Sequence, residues 1–187
     1  MERTSTLVCF ALLAAAPRAG AQSDWIGPNQ MGGPGSWMTA SNWSPASVPN
    51  SESTSVRIDH GLGANSVVTL NGLVSVGSLS IDPGDELAVG SQGYRIIVAA
   101  DGGSTSIDNR GRISLNAIAN NSDLLIKEGT VDLLGGGEIV LSDSFWNRFY
   151  GFTTTERLVN WDNRIHGAGN FRSEEHTSEL QSLAYLV

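Results

Sequence analysis

The chain has almost no cysteine: Cys9 is the only one among 187 residues, and it lies within the first apolar run. Once that run is removed, neither a disulfide framework nor thiolate chemistry is possible. Lysine is just as scarce, with Lys127 standing alone among 11 basic residues, and no glycine-rich phosphate loop ends in lysine. A Gly-x-Ser-x-Gly nucleophile turn is also missing. His60, His166 and His176 have no neighbours at metal-ligand spacing, which argues against zinc. The formal charge is −8, whereas a nucleic-acid groove or an anionic membrane surface calls for clustered basic residues. No apolar run approaches the roughly 18 residues that span a bilayer.

What is present begins with an export signature. Met1–Ala21 carries Arg3, the apolar run Leu7 to Ala16, and the small-residue box Ala19-Gly20-Ala21 before Gln22. These are the three parts of a secretory signal, and cleavage is expected after Ala21. At the other end, residues 172–187 open with Arg172-Ser-Glu-Glu-His-Thr-Ser-Glu-Leu-Gln-Ser182, which resembles the translation of a common sequencing adapter. A genuine acidic helical tail is the other reading, since Glu174, Glu175, Glu179 and Leu180 suit a helix. On the first reading the natural chain continues past Phe171, and its missing C-terminal part is one of the protein's own partners. Removing Met1–Ala21 (Glu2, Arg3, Arg18) and Arg172–Val187 (Arg172, Glu174, Glu175, Glu179) from −8 leaves −7, so the remainder is acidic.

Between these ends lies a repeat. Leu87, Ile113, Ile139 and Ile165 recur every 26 residues, and so do Ile81, Ile107, Leu133 and Val159. Val89, Leu115 and Leu141 follow the same register until Gly167 breaks it; Gly77, Gly103, Gly129 and Ser78, Ser104, Thr130 keep it too. Each period holds short alternating runs such as Leu79-Ser-Ile81, Leu87-Ala-Val89 and Ile96-Ile-Val98, separated by turns such as Asp82-Pro-Gly-Asp85. With so many glycines inside, no stretch sustains a helical period. Three strands per period, coiled so that aliphatic columns stack inward, make an all-β solenoid over residues 76–171. A β-sandwich of short strands is the competing architecture, but it has no need of a fixed register. Asn109, Asn120, Asn121, Asn160 and Asn163 fall at turns, where asparagine tolerates positive φ and bonds locally.

Residues 22–75 precede the repeat and hold three of the five tryptophans, Trp25, Trp37 and Trp43. A solenoid must cover its first rung, so this segment reads as a cap with the first strands; a small sugar-binding patch is the alternative. Phe145-Trp-Asn-Arg-Phe-Tyr-Gly-Phe152 breaks the repeat's small-residue habit. Such an aromatic segment either seals a loop against the solenoid wall or lines a sugar groove.

The order Trp25-Ile-Gly27, Gly35-Ser-Trp37, Asn42-Trp43-Ser-Pro45, then short strands with pieces such as Ile107-Asp-Asn-Arg-Gly-Arg-Ile113, resembles exported bacterial parallel β-helix proteins of the autotransporter-passenger type. The resemblance implies a right-handed parallel β-helix, secreted or displayed on the outer cell surface, with a structural or adhesive role. Its expected partners are surface glycans or a host or neighbouring cell surface. A carbohydrate-active β-helix enzyme, a polysaccharide lyase or glycosidase whose catalytic rungs lie elsewhere, is the alternative, because fold does not decide function.

The residues themselves yield no catalytic, cofactor-binding or metal-binding assignment, and no cofactor is expected. Asp82, Asp85 and Glu86 cluster, but one turn cannot place two carboxylates across a sugar. Calcium at Asp82 and Asp85 lacks the repeat-wide aspartates of calcium-binding rolls. Asn42-Trp-Ser44 and Asn120-Asn-Ser122 match the glycosylation acceptor pattern, which arises often by chance.

Overall fold

The computed structural model describes residues 20–58, 61–100 and 103–172. Regular structure there is β-strand throughout, apart from one short 3-10 turn at Ala40–Asn42. Strands β1 (Ala21–Trp25), β2 (Gly35–Ser36) and β3 (Trp43–Ser44) form the entry. Next come β4 (Ser51–Ile58), β5 (Val67–Leu70), β6 (Leu73–Ile81), β7 (Glu86–Val89) and β8 (Tyr94–Ala99). Strands β9 (Ser104–Asn109), β10 (Arg112–Leu115) and β11 (Ser122–Lys127) make a further rung, and β12 (Thr130–Leu134) and β13 (Glu138–Gly151) the one after. The last rung is β14 (Arg157–Asn160) and β15 (Arg164–Arg172).

These strands coil into a parallel β-helix with three walls. The first wall stacks β2, β5, β7, β10 and the opening halves of β13 and β15. The second stacks the start of β6 with β8, β11, the second half of β13 and the end of β15. The third stacks β1, β4, the end of β6, β9, β12 and β14. Alternation decides which side chains enter the coil: in β7, Leu87 and Val89 are buried while Glu86 and Ala88 face outward. The sequence's three short strands per period are therefore the three walls.

The column Leu87, Ile113, Ile139 and Ile165 stacks in register on the first wall. Its neighbour Leu70, Val89, Leu115, Leu141 ends at Gly167, where φ is +109° and a Cβ would run into the Leu141 carbonyl. Glycine is the residue that tolerates both conditions.

The second expected column needs correction. Ile107 does lie beside Leu133, but Leu79 lies beside Ile107, and Ile81 faces Asn109. Val159 lies beside Asp132 on the outer side, 36% exposed. Gly77 and Ser78 are out of step with Gly103, Gly129, Ser104 and Thr130 for the same reason. That reason is corner length: Asp82 to Asp85 join β6 to β7, whereas Arg110 and Gly111 alone join β9 to β10. The two extra residues that delay β9 on the third wall are recovered at this shorter corner. The first wall thus keeps its 26-residue spacing, while Leu79, Ile107, Leu133 and Asn160 on the third are 28, 26 and 27 apart.

The coil also reaches further toward the N-terminus than the 26-residue register. Strand β1 pairs in parallel with β4, and β5 with β7, where Val68 precedes its stacked neighbour Leu87 by 19 residues. Above these strands Trp25, Trp37 and Trp43 are at most 1% exposed and packed edge to face, with centroids 5.1 and 4.7 Å apart. Each indole N–H donates to a carbonyl, that of Gly33, Pro49 or Trp37 respectively. The cluster is continuous with the solenoid core, as a cap requires, and its buried faces offer no platform for a sugar.

Candidate functional site

Parallel stacking places like positions of successive rungs side by side, so charges one rung apart either pair or repel. On the outside of the first wall Glu86, Arg112, Glu138 and Arg164 stand in register and alternate in sign. Arg112 Nε donates to Glu138 Oε1 at 2.8 Å, His166 Nε2 lies 3.2 Å from Glu138 Oε2, and the Ser114 hydroxyl donates to Glu86 at 2.6 Å. Hydrogen bonds from Arg112, then from His166, hold the Glu138 carboxyl below the usual carboxylate range, and Glu138 in turn raises Arg112. A groove of about 500 Å³ runs along this edge, lined by Asp85, Glu86, Arg110, Arg112, Glu138 and Arg164. Its carboxylates are largely engaged: Asp85 is buried and accepts from the Ser66 N–H at 2.7 Å, while Arg110 pairs with Asp108 outside the groove.

On the second wall Asp123 lies between Arg95 and Arg148, again in register. Its side chain is fully buried, and both arginines also lie over the Tyr150 ring, 5.8 and 5.1 Å from its centroid. This ladder binds three rungs together.

Between these walls the chain does something different. Strand β13 slips against β15: Leu141, Asp143 and Arg148 pair with Gly167, Ala168 and Asn170. Residues 144–147 therefore oppose a single position, and the surplus bulges outward. Phe145 and Trp146 ride on this bulge, 64% and 38% exposed, with ring centroids 4.5 Å apart. The bulge is braced from behind by Asn147, which is wholly buried. Its amide donates to the carbonyls of Ser142 and Ala168 at 2.7 and 3.0 Å, and its Oδ1 accepts the Ala117 N–H at 2.9 Å. Ile118, next to Ala117 on the preceding rung's corner, is 81% exposed. The result is a rigidly backed apolar corner.

The aromatic segment thus divides. Phe149 enters the core, Tyr150 lies against the arginines, and Phe145, Trp146 and Phe152 are exposed rather than sealing a loop. Of the remaining residues weighed from sequence, Lys127 pairs with Glu52 and Glu128, and Asn42 is buried with its amide on the Ser36 carbonyl. Asn120 is exposed, Asn109 and Asn163 are buried and bonded to each other across a corner, and Asn121 follows Asn120 in its turn. His60 and His176 lie outside the described residues, as do most of the expected signal and nearly all of the adapter-like tail. Among the described residues no group of three His, Cys, Asp or Glu is placed to hold a metal, and no helix is long and apolar enough to cross a membrane. Comparison with family models, curated proteins and solved structures gave no match.

Proposed function

We propose that this chain is an exported surface solenoid with a structural and adhesive role, and that its adhesive contact is the Phe145–Trp146 corner. The supporting observation is the contrast between the walls and that corner. Wall charges pair across neighbouring rungs in the Arg95–Asp123–Arg148 and Arg112–Glu138 ladders. The bulge instead presents two adjacent aromatic rings held on a buried asparagine brace. A braced aromatic pair offers exposed ring surface at low entropic cost, the kind of surface that stacks on sugar rings. Surface glycans, free or on a neighbouring cell, are the partner this chemistry fits.

The test is retention of the protein on immobilised polysaccharides, followed through tryptophan fluorescence. The Phe145→Ala/Trp146→Ala variant should lose at least about tenfold in affinity, as removal of one or two stacked rings implies. Retention unchanged in that variant, with its melting curve also unchanged, would sink the reading.

A further inference from the structure

The turns that join the first wall to the second stack on one another as one corner of the coil: the Gly90 N–H bonds to the Leu70 carbonyl, and the Asn116 N–H to the Val89 carbonyl. These turns are residues 71–72, 90–93, 116–121, 142–147 and 168–169. None of the five contains lysine or arginine, and their one acidic residue is Asp143. The other corners are charged, with Asp82, Asp85 and Arg110 on one and Glu128 and Glu156 on the other.

Asp143 stands two residues before Phe145, at the foot of the bulge, where it pairs with Ala168. It is exposed, and its carboxylate makes no hydrogen bond or ion pair. Arg148, beyond the bulge, is committed to Asp123. On the two preceding rungs of the same corner Asn116 and Gln92 are exposed, and their side-chain amides are likewise without partners. A stacked ring face does not distinguish a neutral sugar from an acidic one, so any choice between them falls to the groups around it. Here those groups are amides, which donate and accept as hydroxyls do, and a carboxylate, which accepts from a hydroxyl and repels an anion.

Resting on the reading of the Phe145–Trp146 corner as the adhesive contact, we propose that its ligand is an uncharged polysaccharide lying along this corner. One sugar ring stacks on the aromatic pair and donates a hydroxyl hydrogen bond to Asp143, and the chain continues over Asn116 toward Gln92. Gln92 and Trp146 are two rungs apart, about 10 Å along the coil, so the contact takes an oligosaccharide rather than a single ring. Asp143 is the residue that turns away uronates and sulfated sugars.

The probes are a glucan, a mannan and a galactan, each matched with the polymer of the corresponding uronate, titrated into the full chain at low salt with tryptophan fluorescence as the signal. The neutral member of whichever pair binds should be held about fivefold more tightly, the difference that like charges at an exposed site allow. Asp143→Asn should tighten uronate binding and remove most of that preference while melting like the parent. Gln92→Ala/Asn116→Ala should weaken binding by an amount that grows with oligomer length. Uronate held as tightly as its neutral match, with Phe145→Ala/Trp146→Ala abolishing both, would overturn this proposal and leave the adhesive corner standing. So would an undiminished preference in Asp143→Asn, or a polymer of protonated glucosamine held more tightly than the glucan. Binding of no polymer by the parent protein would remove the adhesive reading and this one together.

Discussion

Arg148 closes on Asp123 through two hydrogen bonds, at 2.8 and 2.6 Å, although the two are 25 residues apart in sequence and one rung apart in space. The carboxylate is fully buried and the guanidinium is about three-quarters buried. Removing Arg148 leaves the buried carboxylate paired with Arg95 alone and takes away two hydrogen bonds to its charged form. Arg148→Ala should therefore lower stability by about 3 kcal/mol. Arg164→Ala, at an exposed and unpaired position, should cost less than about 0.5 kcal/mol. Urea unfolding midpoints of the two variants provide the comparison.

Register makes a second prediction. Ile107 is buried beside Leu133, whereas Val159, which shares the 26-residue spacing, faces outward. Ile107→Ala should cost about 2–5 kcal/mol and Val159→Ala less than about 0.5 kcal/mol. Comparable losses at the two sites would mean that the third wall keeps the fixed period after all.

The cap gives a third. Trp37 is wholly buried, donates to the Pro49 carbonyl and packs edge to face on Trp43. Trp37→Ala should cost about 3–5 kcal/mol by opening a large cavity. Because that cavity lies at the entry of the coil, hydrogen exchange should quicken first in β1 and β4.

Acid should weaken the protein in a traceable way. The folded Glu138 carboxyl titrates below its ordinary range because Arg112, then His166, bonds its charged form. Glu156 is also lowered: burial opposes the shift, but the Thr153 hydroxyl and N–H and the Glu128 N–H outweigh it. A lowered carboxyl contributes stability above its unfolded pKa, and that contribution disappears as pH falls through the folded value. The unfolding midpoint should thus drop on acidification below the ordinary glutamate range. The drop should be smaller in Glu138→Gln, by the modest amount an exposed pair allows, within about 1 kcal/mol.

Export is the fifth expectation. Ala21 is the first residue of β1, so cleavage after it would shorten that strand by one residue and leave Gln22 to Asp24 paired with β4. Residues 1–24 fused to a phosphatase that works only after export should yield extracytoplasmic activity. N-terminal sequencing of the exported full chain should begin at Gln22. Retention of activity inside the cell would count against the signal.

The coil itself was legible because Leu87, Ile113, Ile139 and Ile165 sit on the one wall whose corners compensate in length. The second wall was not, since Val74, Ile96, Leu124, Phe149 and Phe171 stack at intervals of 22, 28, 25 and 22 residues. A search for a fixed period cannot see a column whose spacing changes at each rung. The charge alternation at Glu86, Arg112, Glu138 and Arg164 lies in the same 26-residue register and is legible in the sequence, since these four residues each precede a member of the aliphatic column.

The amino-acid order alone pointed to an all-β coil, because glycine-broken runs with period-two alternation make short strands and a fixed 26-residue register suits stacked coils where a sandwich has no need of one. The tertiary structure alone decided which residues share a column, because register depends on how many residues each corner absorbs. It also decided which aromatics are exposed. Trp43 and Trp146 are the same residue type, but one lies against the first rungs' core and the other rides a bulge made by the slip of β13 against β15. Burial of a side chain is a property of its neighbours in space, and in a coil those neighbours sit a variable distance away along the chain.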